Sequence, residues 1–203
     1  EVLTRDTWSL DLTGSFSRSG GNNKSSFGAR ERNVLGTGLN VGFARTSDND
    51  RNGTELEASY SQAFDGWTQL AFSRGQFSDG RRTAVAVDRP FYSLDTRYAA
   101  RGAWSDNDRI DSIYNSGDKM SEYRHREKAA ELAVGWSPGL VDGWTSRYSG
   151  GVYANDDAYR AEPGRDLVVP LPVTHRVRAP FLRYELIEDD FIKVVNYNNI
   201  ART

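Results

Sequence analysis

The 203 residues set 26 Lys and Arg against 28 Asp and Glu, a net charge of −2 without the concentrated basic excess of a nucleic-acid binder. No run approaches the roughly 20 apolar residues of a membrane helix, which excludes helical spans but not a barrel, whose alternating strands keep the mean hydropathy low. Cysteine is absent, so disulfides, thiolate metal sites and cysteine nucleophiles are excluded together.

With 19 Gly, 10 Tyr, 9 Phe and 5 Trp beside a single Met, the composition is that of strands and turns. Glu1 to Arg5 lacks the basic and apolar regions of an export signal, so such a signal is expected upstream or already removed. From Thr7 to Ser17, Trp8, Leu10, Leu12, Gly14 and Phe16 alternate with Ser, Thr and Asp, the period of a strand with one apolar face. After the turn at Ser19 to Asn23, a weaker strand over Ser25–Arg32 leads through Asn33-Val34-Leu35-Gly36-Thr37-Gly38 to Leu39, Val41 and Phe43.

Between Glu55 and Phe64, Leu56, Ala58, Tyr60 and Phe64 oppose Glu55, Glu57, Ser59 and Ser61. Asp65-Gly66 is a strong hairpin signal into Trp67–Phe77, and Ser78-Asp79-Gly80 turns into Arg82–Asp88. Beyond Pro90 to Leu94, Tyr98, Ala100, Gly102 and Trp104 oppose Arg97 and Arg101. Strands are expected near 128–136 and 144–154, joined by a compact turn, with a last pair over 176–188 and 191–202. Two stretches, 105–126 and 155–174, read as exposed loops. Met120 to Ala133 also carries helical i,i+4 pairs, but the alternation of Ala130, Leu132, Val134 and Trp136 favours a strand from Lys128. The total is about eleven strands.

Successive hairpins without crossovers leave an antiparallel sandwich, a soluble barrel or an outer-membrane barrel. The membrane barrel is favoured by Trp and Tyr near strand ends, by alternating short and long connections, and by charges on the polar faces. Glu55, Glu57, Arg97, Arg101, Glu131 and Arg147 would then face a lumen.

Two elements carry a family resemblance. Asn33, Leu35, Gly36 and Gly38 form an Asn-x-Leu-Gly-x-Gly hairpin, and Pro90, Phe91 and Asp95 sit in a Pro-Phe/Tyr-x-x-Asp-like turn. Both resemble the bacterial surface-antigen superfamily, the BamA–TamA-type assembly and two-partner-secretion barrels. The resemblance implies an all-β, antiparallel up-and-down transmembrane β-barrel, of which residues 1–203 are the N-terminal portion of about sixteen strands. It implies a bacterial outer-membrane protein, without enzymatic turnover or cofactor, that inserts or translocates other polypeptides. Its partners would be outer-membrane lipid, β-rich clients and periplasmic accessory proteins. The first strand, with Trp8, Leu10, Leu12, Gly14 and Phe16, would form the lateral gate. The family's Val-Arg-Gly-Phe/Tyr element does not occur, which is why a partial barrel is expected.

The alternatives are a passive pore, a membrane anchor for a passenger domain, and a soluble carbohydrate-binding sandwich. His125 and His175 fall in expected loops without ligand spacing, which argues against a metal centre or a hydrolytic triad. Asp48 to Gly53 lacks the bidentate Glu of a calcium loop, and Glu185, Glu188, Asp189 and Asp190 read as a polar turn rather than a glycosidase pair.

Overall fold

The computed structural model describes residues 9–19, 22–48, 51–164, 168–189, 191–193 and 200–202. Their strands are β1 (Leu10–Ser19), β2 (Asn22–Val34), β3 (Leu39–Ser47), β4 (Asn52–Ala63), β5 (Thr68–Phe77), β6 (Gly80–Arg89), β7 (Tyr98–Asn115), β8 (Asp118–Trp136), β9 (Leu140–Val141), β10 (Trp144–Ala161) and β11 (His175–Glu188). Each pairs antiparallel with its sequence neighbour from β1 to β8, then β10 and β11 follow and β9 pairs β10, giving an 11-stranded up-and-down sheet. Among the described residues the sheet is not closed, since β1 and β11 do not pair. Among the described residues there is no helix, so the helical pairs after Met120 yield to the pairing of β8 with β7 and β10.

Several expectations are corrected. The stretch 105–126 is not a loop: β7 and β8 run for 18 and 19 residues and pair continuously except for one register shift near Ile113. The stretch 155–174 is a loop only in its second part, because β10 continues to Ala161. Regular alternation weakens in both, and it is the long cross-strand register, with polar pairs on both faces, that keeps them extended. At the other end, β12 (Phe191–Lys193) and β13 (Ile200–Arg202) pair only with each other and do not extend the main sheet.

Short turns at one end set the register. In the β2–β3 turn, Leu35 adopts φ 52° while Gly36 and Gly38 adopt 76° and 81°, the left-handed region where a Cβ is costly. The Asn33 Oδ1 accepts the Gly38 amide at 2.6 Å, and the Asn33 carbonyl accepts the Gly36 amide at 3.0 Å. The β4–β5 turn also uses the left-handed region, at Phe64 with φ 54° and at Gly66 with 81°. Strand β4 therefore ends at Ala63, and Phe64 is a turn residue rather than the end of an alternating strand.

Candidate functional site

Residues directly opposite in an antiparallel ladder project to the same side, so the register assigns every strand residue to one of two faces. One face carries the row Phe72, Val85, Trp104, Ala130 and Ala154, and beside it Leu70, Val87, Gly102, Leu132, Val152 and Pro180. The next rows bring Val134 and Leu182 together across Gly150, then Tyr98, Trp136, Tyr148 and Tyr184. Toward the other edge, Leu12, Ala29, Phe43 and Leu56 share one row. The band shifts along successive strands, as in a sheet whose strands tilt.

This apolar face is uncovered. Leu132 is 64 % exposed, Val134 69 % and Leu182 92 %, and Ala63 is the one buried apolar residue among those described. Polar residues are buried instead, including Thr68, Thr96, Ser121, Ser137 and Thr145. At the short-turn end the band terminates in an aromatic row, where the Trp136 and Tyr148 rings stack at 5.9 Å and Tyr148 meets Tyr184 at 5.1 Å.

The opposite face holds the charges expected to be together. Glu57 accepts from Arg30 at 3.0 Å, and Arg101 lies between Glu131 at 3.3 Å and Asp88 at 3.8 Å. Arg147 approaches Glu185 at 3.8 Å. Glu55 shares this face without an ion pair among the described residues, opposite Ala44 and Gly75. Arg97 precedes β7, where its carbonyl accepts the Ser137 amide.

The two family-like turns differ in their relation to these charges. Asn33, Leu35, Gly36 and Gly38 stand apart, with Leu35 95 % exposed at the tip. After Pro90, by contrast, the β6–β7 turn folds onto the polar face. The Phe91 ring lies over Gly135, where a Cβ would come within 2.7 Å of it, and the Arg147 guanidinium sits 5.0 Å from the same ring. Arg147 donates to the Ser93 carbonyl at 3.2 Å, and Asp95 accepts the Leu140 amide at 3.2 Å. Arg147 thus joins the charged face to this turn. Of the expected gate strand, Leu10, Leu12, Gly14 and Phe16 lie on β1, an edge strand paired with β2 alone, while Trp8 lies outside the described residues.

Asp65 fastens the β4–β5 turn. Its carboxylate accepts from the Arg89 guanidinium, from the amides of Trp67 and Thr68, and from the Thr68 hydroxyl. Arg89 first, then the Trp67 amide, hold this carboxyl well below the usual carboxylate range, against a smaller opposing effect of desolvation.

A second polar centre was not legible as such. Both histidines, placed by sequence reasoning in separate loops, meet on the polar face of β8, β10 and β11. His125 Nε2 is 2.8 Å from Asp157 Oδ1, and His175 Nε2 is 3.0 Å from Asp157 Oδ2. On the other side of the ring, Nδ1 faces Asp111 at 2.9 Å and Arg109 at 3.0 Å. Tyr159 stacks on His125 at 4.4 Å. The register places Asp157 opposite both Glu127 and His175, a juxtaposition that a linear spacing does not encode. Among the described residues no group of three or more His, Asp or Glu side chains is arranged to hold a metal ion.

A nucleophile-elbow spacing, Gly135-Trp136-Ser137-Pro138-Gly139, is also present, but not the strand–turn–helix that gives it meaning. Ser137 is fully buried, and its Oγ accepts the Gly139 amide at 3.0 Å. His125 lies twelve positions away along an extended chain, roughly 40 Å. The serine is a turn-former here. No protein-family model matches this chain, and neither a curated protein nor a solved structure matches it.

Proposed function

We propose that this chain is part of the wall of an outer-membrane β-barrel that inserts or translocates other β-rich polypeptides. The observation that carries the membrane part is the exposed apolar band on one face, bounded by the aromatic row of Tyr98, Trp136, Tyr148 and Tyr184. A single-layer sheet in water would leave that band without a partner, whereas lipid covers it and accepts aromatic rings at its boundary. Paired charges such as Arg101–Glu131 and Arg30–Glu57 suit a wet interior on the other side.

The assembly part rests on the resemblance of the Asn33–Gly38 and Pro90–Asp95 turns, supported by the character of β1. As an edge strand it presents unpaired backbone donors and acceptors, and a side chain at Gly14 would meet nothing within 4 Å. An incoming strand would add to this edge.

Fractionation tests the first part: the protein should remain with outer membranes and change gel mobility on boiling. A soluble, detergent-independent protein overturns it. For the second part, cysteine at Ser15 should crosslink to a β-strand of a client during insertion. Crosslinking only within the protein itself would leave a passive barrel.

A further inference from the structure

Beyond the apolar band, toward the β7–β8 hairpin, the same face turns basic. Two adjacent cross-strand rows place Arg45, Arg74, Arg81, Arg126, Lys128 and Arg176 on it against Asp106, Asp108 and Asp156. The acids are already engaged: Asp106 by Arg126, Asp108 by Arg124 at 3.1 Å, and Asp156 by Arg178 at 2.8 Å. Arg45, Arg74, Arg81 and Lys128 remain exposed; Arg81 and Lys128 act on Asp106 only at longer range, since Arg126 holds its carboxylate directly. In a chain whose net charge is −2, this local excess is a property of one face and one level.

We propose that this basic collar binds the phosphorylated headgroups of anionic lipids, an assignment that rests on the membrane reading above. The position selects the ligand. Arg74 and Lys128 follow Phe72 and precede Ala130, respectively, by two residues on the same face of their strands, so the charged heads begin where the apolar side chains stop. Their alkyl stems extend the apolar surface while the cationic ends reach the interface. Exposed guanidinium forks match phosphate oxygens two at a time, and a lysine adds a point charge. A site for free phosphate would need no apolar neighbour, whereas a headgroup arrives attached to acyl chains that occupy the adjoining band.

Trp104 reports on this site, because it shares a row with Ala130 and lies two residues from Asp106. The protein carrying this chain, purified and reconstituted, is titrated with brominated phosphatidylglycerol and, separately, brominated phosphatidylcholine while tryptophan quenching is followed. The wild type should prefer the anionic lipid several-fold. A cation near an anionic interface changes partitioning by up to about fivefold, so R74Q/R81Q/K128Q, which removes three, is more than enough to bring a several-fold preference close to parity. R82Q should retain it, because Arg82 is exposed on the opposite face of the same strand.

A wild type without preference, or a triple variant that keeps it, overturns the collar. Loss of the preference on adding inorganic phosphate at constant ionic strength also overturns it, in favour of a free-anion site. Quenching by phosphatidylcholine alone leaves the membrane reading standing and sinks only the collar. Quenching by neither lipid sinks both.

Discussion

His125 Nε2 and Asp157 Oδ1 lie 2.8 Å apart across β8 and β10, with the two residues only 7 % and 6 % exposed. Asp111 faces the other ring nitrogen. Carboxylates only accept, so donation to both acids requires the imidazolium, while acceptance from Arg109 at the same Nδ1 requires the neutral ring. Two hydrogen-bonding arrangements therefore compete at one atom.

Removing the ring tests its structural weight. His125→Ala strips the buried Asp157 Oδ1 of its imidazole partner, leaving Asn155 and His175 on Oδ2, and should cost about 3 kcal/mol, read by denaturant unfolding in vesicles. His175→Ala, at a half-exposed side chain, should cost less than about 1 kcal/mol. Equal effects of the two substitutions would contradict the buried pair as the principal contact.

The two faces respond oppositely to an added charge. Leu132→Arg, near the middle of the apolar band, should destabilise the protein in a bilayer by about 2–4 kcal/mol. Ala103→Arg, opposite Glu131 on the polar face, should change stability by less than about 1 kcal/mol. Both are measured by reversible unfolding from vesicles. If the two substitutions prove equally mild, Leu132 faces water.

The β2–β3 turn separates capping from backbone strain. Asn33→Ala removes the acceptor of the Gly38 amide and should cost about 1 kcal/mol. Leu35→Gly removes a Cβ from a left-handed conformation and should be neutral or stabilising by up to about 1 kcal/mol. A clear loss of stability would show that the exposed Leu35 side chain has a contact of its own.

Asp65 makes the β4–β5 turn acid-sensitive in a defined direction. Its carboxyl is depressed in the folded chain, so its stabilising effect is full above the ordinary aspartate range near 4 and fades as pH falls below it. Asp65→Asn should loosen the turn at neutral pH, and its difference from wild type should shrink in acid. Hydrogen exchange of the Trp67 and Thr68 amides, both bonded to Asp65, follows this directly. A difference independent of pH would exclude the carboxylate as its source.

Alternation at Leu10–Phe16, Leu39–Phe43, Leu56–Tyr60 and Ala130–Trp136 is enough to identify strands with one apolar face, and Asp65-Gly66 marks its hairpin. These signals are local: a period of two and a turn that needs positive φ are properties of a few consecutive residues. For the same reason the register puts Glu57, Arg101, Glu131 and Arg147 on one face. Where both faces are polar, as over 105–126, the period loses contrast and long strands resemble loops.

Successive antiparallel hairpins, turn chemistry and the separation of apolar from polar faces are therefore legible in single segments, because side-chain direction follows from parity along a strand. Which residues share a level emerges only in the assembled sheet: Asp157 joins His125 to His175, Phe91 covers Gly135 beneath Arg147, and four exposed cations border the apolar band. Those neighbours belong to different strands, and their meeting depends on the stagger between strands, a quantity set by turn length and register that no single segment contains.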